Sequence, residues 1–337
     1  MFTPFRAGSV ATKLTISALA FLIPIVVMAG FIVRGYTADI TFSQLEVYGN
    51  RMIQPLIRIA AALPVAGGRR EEISQAFDEL LVVDEAVGEA LQFTEDRLAI
   101  RNRSGLDAQT VAARWREEGQ QAGRDTEEIA LFHDILEMVV HAGDTSNLIL
   151  DPDLDSYYLM DVTLLAVPTV LQHVSEMTAR DTLSATEAAI RHSRLRDALD
   201  RIRTSIETAI NEDPNFNGEL PGMAPALETA LDEYTTTVNP LLSTLAARRE
   251  GEPFARGELQ TAAISVLSAT PVFWNSVAEQ QNELLDIRIA TYERDLLVTI
   301  LLSALAVLLA GTFVAVISRA ITRQARATER GLSIAAG

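Results

Sequence analysis

The stretch "LLVTILLSALAVLLAGTFVAVI", Leu296 to Ile317, contains no charged residue and decides how the rest of the chain is read. At about 1.5 Å per residue a helix of this length crosses a hydrocarbon core of about 30 Å. "YERD" precedes the run and "SRAITRQAR" follows it, so charge fences it on both sides. A second uncharged run, Leu14 to Val33, has the same character. It exceeds the apolar stretch of about 7–15 residues found in signal peptides, and no clear A-x-A cleavage site follows. Both runs are expected to be transmembrane helices.

Their flanks give an orientation. Arg6 and Lys13 precede the first run, and Arg319, Arg323, Arg326 and Arg330 follow the second. The positive-inside rule then puts both ends in the cytoplasm. The expected division is a cytoplasmic N-terminus (1–12), a first span (13–34), an extracytoplasmic domain (35–294), a second span (295–318) and a cytoplasmic linker (319–337). The region 35–294 holds 43 of the 45 acidic and 21 of the 28 basic residues, a net charge of −22. So acidic a surface argues against a nucleic-acid partner, because phosphate binding needs a positive footprint. The absence of cysteine excludes disulfides, a thiolate nucleophile and Cys-based zinc sites. Lys13 is the one lysine against 27 arginines, which removes the P-loop lysine and the kinase strand lysine.

The outer region reads as helix throughout. "QLEVYGNRMIQPLIRIAAAL" continues the first run until Gly67 and Gly68 stop it, and Ile73, Phe77, Leu80, Val87 and Leu91 form one apolar stripe of the next helix. "SGLD", 104–107, is a break. Ser184 with Glu187 has the capping-box spacing, and "NEDPNFNGELPG", 211–222, is the most loop-like stretch. Helices at about 223–249 and 256–292 follow, the last running into the second span. Pro55, Pro168 and Pro271 lie inside helical patterns and should kink or interrupt them. Strand signals are nearly absent. The expected fold is all-α: two transmembrane helices flanking an elongated antiparallel bundle of six to eight helices, with two stacked four-helix modules as the best fit to its length.

Polar chemistry is densest in "SNLILDPDLDSYYLMD", 146–161. Asp151, Asp153 and Asp155 imitate the first ligands of a calcium loop, but Ser156 stands where that loop needs glycine and Val162 where it needs glutamate. Helix capping is the simpler account, with Asp151 before Pro152 as N-cap and Asp155 or Ser156 as further caps. A third account is a small-ligand pocket, since aromatic and carboxylate groups at a bent helix junction suit cationic guests. Its candidate residues are Asn147, Tyr157, Tyr158 and Asp161. An anionic ligand would need arginines instead, and Arg51 and Arg58, seven apart, are the candidates. His133, His141, His173 and His192 show no metal-ligand spacing, and His133 and His141 read as partly buried packing residues. No catalytic, metal or cofactor motif occurs, so no enzyme active site and no cofactor are expected within these residues.

The segment "ISRAITRQARATERGLSIAAG" resembles the start of a HAMP signalling linker through Ile321, Arg323, Ile334 and the terminal Ala335-Ala336-Gly337, with Gln324 where the family has proline. "LDPDLDSYYLMD" is similar to a stretch of the all-helical periplasmic domains of bacterial chemoreceptors and sensor histidine kinases. The resemblance implies a homodimer in a bacterial inner membrane, a small-molecule ligand or periplasmic binding protein outside, and ligand-driven motion of the second span. The expected function is a transmembrane receptor, foremost a methyl-accepting chemotaxis receptor. A sensor-kinase or cyclase input region and a membrane-anchored scaffold that holds a protein partner are the alternatives. The output domain is expected beyond Gly337, in a chain read as truncated.

Overall fold

A computed structural model describes residues 10–118, 125–178, 183–248 and 256–335. The chain is all-α, with no strand among the described residues. Its helices are α1 (Val10–Ala62), α2 (Arg70–Val87), α3 (Glu95–Ile100), α4 (Ala108–Glu118), α5 (Asp125–Thr145), α6 (Leu154–Met160), α7 (Val167–Thr178), α8 (Ala185–Glu212), α9 (Met223–Ala246) and α10 (Arg256–Ala335). A π-helical segment, Asp161–Ala166, joins α6 to α7. The residues divide into two compact units, Phe42–Arg288 and the paired ends Met1–Thr41 with Ile289–Gly337.

The unit Phe42–Arg288 is built on one hydrophobic core. The stripe Ile73, Phe77, Leu80, Val87 and Leu91 is buried, and Glu71 and Glu72 occupy the first turn of α2, where the helix dipole favours anions. Trp115 of α4 stacks on Phe77 and donates its indole N–H to Ser74, fixing α4 against α2. Asp107 caps α4 by accepting from the Thr110 amide at 2.9 Å. Ser184 and Glu187 form both halves of the capping box that starts α8. At the end of the 211–222 loop, Gly222 takes φ +100°, a conformation glycine adopts without the clash a Cβ would bring, and α9 begins there.

The prolines behave differently from one another. α1 continues through Pro55 and α10 through Pro271, whereas the helix before Pro168 widens into the π segment. The histidines also part company. His141 is fully buried, with its ring edge-on to Phe93 at 4.5 Å, while His133 is exposed, against the packing role read from its apolar neighbours. Arg103 donates to Nδ1 of His141 at 3.2 Å, and Nε2 lies 3.1 Å from the Gln92 carbonyl. A cation on one side and a carbonyl on the other select the neutral ring protonated at Nε2. Burial first, and then the neighbouring arginines, hold this imidazole below its ordinary pKa.

α1 crosses the α5–α6 junction at a glycine. A Cβ on Gly49 would lie 2.5 Å from Ser146 Cβ and 2.7 Å from Leu148 Cδ1, both fully buried. Gly49→Ala is therefore expected to cost about 1–3 kcal/mol through overpacking, read as a lowered thermal midpoint of the full chain in detergent.

In the unit formed by the chain ends, Tyr36 of α1 and Tyr292 of α10 have ring centroids 6.4 Å apart. Large apolar side chains there, among them Phe31, Leu308 and Phe313, are exposed. Among the described residues three helices are long and apolar enough to cross a membrane: Leu22–Gly68, Leu154–Thr178 and Gly257–Ile321. The apolar window of the middle one is 67% buried, and those of the other two are not buried at all.

Candidate functional site

The acidic motif takes its shape from the end of α5. Asn147 adopts left-handed φ and ψ, as its short polar side chain allows, and turns the chain into a single 3-10 turn, Leu148–Leu150. Asp151 Oδ1 accepts from the Asp153 amide at 3.1 Å, closing an Asx turn at Pro152. The N-cap of α6 is consequently Asp153, two residues later than the proline spacing suggests, and its side chain makes no cap bond. Nor does Asp155 cap the helix conventionally: its Oδ1 accepts from the adjacent Ser156 amide at 2.6 Å. The carboxylates of Asp151 and Asp153 serve a distant partner instead.

That partner is Arg288 of α10, only 1% exposed. Its Nη1 donates to Glu46 Oε2 of α1 at 2.9 Å, and its Nη2 to Asp151 Oδ1 at 2.7 Å. Nη2 also reaches Ser156 Oγ, which itself donates to Asp151 Oδ1 at 3.0 Å. Nε lies 2.7 Å from Asp153 Oδ2, an ion-pair separation without the alignment of a hydrogen bond. Asn217 donates to the same Asp153 oxygen at 3.0 Å, tying in the 211–222 loop. Arg288 thus holds α1, α10 and the 151–156 turn on one guanidinium fork.

Arg288 belongs to a longer pattern. Trp274, Gln281 and Arg288 are spaced by seven along α10, and all three are buried. The Trp274 indole donates to the Thr163 carbonyl at 3.0 Å. Gln281 accepts from Thr163 Oγ1 at 3.2 Å and donates to the Ser156 carbonyl at 3.4 Å. A second stripe of the same period, Ser268, Asn275 and Asn282, meets other partners: Arg69 reaches Ser268, Gln54 donates to Asn275 at 3.2 Å, and Asn50 to Asn282 at 2.9 Å. Two heptad stripes therefore zip α10, through polar bonds, to α1 and the turn after it on one side and to segment 151–163 on the other.

Charge is unbalanced at the Arg288 end. One cation faces Glu46, Asp151 and Asp153 directly, and Asp155 lies close by, itself 2% exposed. Burial pushes the Glu46 carboxyl up to about 9, the Asp151 charge pushes the same way, and Arg288 only partly offsets them. Burial also raises Asp151 in spite of its bonds to Arg288, and raises Asp155 to about 6. For Arg288, burial favours the neutral form, but Asp151, Glu46 and Asp153 outweigh it and the guanidinium stays charged. Burial and the Asp151 charge both favour the protonated form of Glu46. Among the described residues no group of three or more His, Asp or Glu side chains is disposed to hold a metal ion, and the guanidinium occupies the centre that a cation would need.

The ligand candidates are placed as follows. Asp161 opens the π segment and is held by Arg201 of α8, whose Nε donates to Oδ2 at 3.0 Å and whose Nη2 donates to Oδ1, with Ser205 Oγ donating at 2.8 Å. Tyr157 and Tyr158 are half-buried, their rings edge to face at 5.5 Å. Asn147 makes the left-handed turn, Arg58 pairs with Glu79 of α2, and Arg51 is exposed on α1. Tyr157, Tyr158 and Asp161 thus share one helical stretch, while Arg51 and Arg58 serve other surroundings. Ile321 and Arg323 lie within α10. The Ile334 backbone is also helical, while its side chain and Gly337 lie outside the described residues. An open groove between α9 and α10 is lined by Thr237, Thr244, Glu258, Thr261 and Ser265. There Thr237, Thr244 and Ser265 spend their hydroxyls on carbonyls of their own helices.

Arg288, Glu46 and Gln281 carry the interface and are not among the candidates read from the sequence. The available trace was the seven-residue spacing of polar residues through "WNSVAEQQNELLDIR". No protein-family model, curated protein or solved structure matches this chain.

Proposed function

We propose that the chain is the input region of a two-span sensory receptor of a bacterial cytoplasmic membrane, foremost of the methyl-accepting chemotaxis type, working as a homodimer. The windows within Leu22–Gly68 and Gly257–Ile321 supply the spans, and both termini are cytoplasmic by the charge of their flanks. Leu154–Thr178 is a core helix in this reading, because most of its apolar window is already buried by protein. The region between the spans is the sensor, and its ligand is a small molecule or a periplasmic binding protein.

One observation carries the proposal. A single helix, α10, bears both polar stripes and then continues through the apolar run into the HAMP-like segment. Bonds spaced by seven along a helix re-form only in discrete registers, so a ligand that favours one register of the 151–163 segment would shift α10 as a two-state element. The scaffold alternative gives the stripes no task beyond stability.

The test joins residues 1–337 to the kinase-controlling half of a chemoreceptor and reads kinase output in membranes. Gln281→Leu removes the middle bonds of the seam while leaving Arg288 in place. Output is expected to change several-fold, since perturbing such a network shifts coupling by about 0.5–2 kcal/mol. Unchanged output from a folded, inserted hybrid would favour the scaffold.

A further inference from the structure

We propose that the junction of α1, α10 and the 151–156 turn is a proton-operated latch: one proton on Glu46 keeps the three elements gathered on Arg288, and its loss releases α1 from α10. The proposal goes beyond the receptor reading and holds whatever output the chain controls. It rests on a count of the groups that face one another. α1 contributes Glu46, the turn and α6 contribute Asp151, Asp153 and Asp155, and α10 contributes Arg288. The other close neighbours, Ser43, Asn50, Ser156, Gln281 and Asn282, carry no charge. A single guanidinium can neutralise one carboxylate, and with Glu46, Asp151 and Asp155 all shut away from water, Arg288 is the one cation paired with this cluster among the described residues.

A proton on Glu46 removes one of these charges and adds a donor to a site rich in acceptors, where Glu46 Oε1, Asp151 Oδ2 and Asn50 Oδ1 are buried without a partner. Without that proton, Glu46 can be relieved only by admitting water or by moving away from Asp151. Either change draws α1 off Arg288. The bonds above it, Asn50 to Asn282 and Gln54 to Asn275, join neutral groups and offer little resistance.

The direction of the pH effect follows from linkage. Glu46 has a folded-state pKa above its unfolded value, so its contribution is fully present below about 4.5 and is lost as pH rises through about 9. Buried Asp151 acts in the same sense. His141 and His173, both lowered by burial, affect stability on the acid side, and buried Tyr234 acts above its usual range. The interval from pH 7.5 to 9.5 therefore isolates the carboxyl cluster.

The experiment uses the full chain in lipid nanodiscs, with nitroxide labels at Arg51→Cys and Glu283→Cys, two exposed positions on α1 and α10 in a sequence that has no cysteine. Melting midpoints and label-to-label distances are recorded at pH 7.5 and 9.5. With Glu46 intact, the midpoint is expected to fall by about 5 °C or more and the distance distribution to broaden toward longer values. In Glu46→Gln, an always neutral isostere, both quantities should stay constant across the interval. Should that substitution weaken the fold, Asp151→Asn serves as the second variant and should reduce the two shifts. The same shifts in Glu46→Gln as in the parent would overturn the proposal. So would a midpoint that falls while the distances stay fixed, since the cluster would then titrate without releasing α1.

Discussion

Arg288→Met is expected to lower the unfolding free energy by about 3–5 kcal/mol at pH 8, the range for removing one partner from a buried ion pair. The substitution keeps much of the side-chain volume, so packing loss is not the main term. What remains is Asp151 and Asp153 without a counter-ion, the first with its side chain fully inside the protein, beside a Glu46 carboxyl that burial already holds in its neutral form. The chain can escape the full penalty by taking up protons, which makes the loss depend on pH. Burial favours the neutral form of Asp151 and raises Asp155 to about 6, so at pH 5 the deficit should shrink. Adding Asp151→Asn to Arg288→Met removes the buried stranded charge and should restore much of the stability at pH 8, since neutral groups of similar shape often replace buried ion sets without loss. Urea unfolding of the detergent-solubilised chain, followed by circular dichroism, measures all three. An equal deficit at pH 5 and pH 8 would show that Arg288 contributes packing rather than charge.

How much of this could be read in advance differs from residue to residue. The all-helical fold was legible because its signals are local: the apolar stripe of α2, the Ser184–Glu187 box and the glycine-rich loop before α9 each act within a few residues of themselves. The acidic motif was legible as important but not as to its purpose. Capping preferences are also local, and they suggested Asp151 as the N-cap; Arg288, 137 residues away, claims that carboxylate instead. Nothing near Asp151 announces this partner, because an arginine in "ELLDIR" looks like an ordinary exposed helix residue. Its burial depends on α1 bringing Glu46 to the same point, which is a consequence of tertiary packing. Trp274 carries no local sign of its role for a similar reason. Its partner is a carbonyl, and any residue can supply one.

That carbonyl belongs to the residue where the π ladder fails, which gives a second large effect. In the π segment the Val167 amide donates to the Val162 carbonyl, five residues back. The next bond of the series would run from residue 168 to the Thr163 carbonyl, but residue 168 is proline and has no N–H. The Trp274 indole supplies the missing donor at 3.0 Å. Trp274→Ala should therefore cost about 3–5 kcal/mol, from the cavity together with the stranded carbonyl. Trp274→Phe keeps most of the apolar contact and isolates the bond, with an expected loss of about 1–3 kcal/mol. The two contributions separate in a double-mutant cycle with Pro168→Ala, which returns an amide donor to the ladder. In that background Trp274→Phe should cost about 1 kcal/mol less, because Thr163 then has a second source for its hydrogen bond. Strict additivity in urea unfolding would mean that the indole and the proline act independently. A positive coupling would mean that the helix before Pro168 is completed by a side chain from α10, so that α10 cannot slide along segment 151–163 without reopening the π ladder.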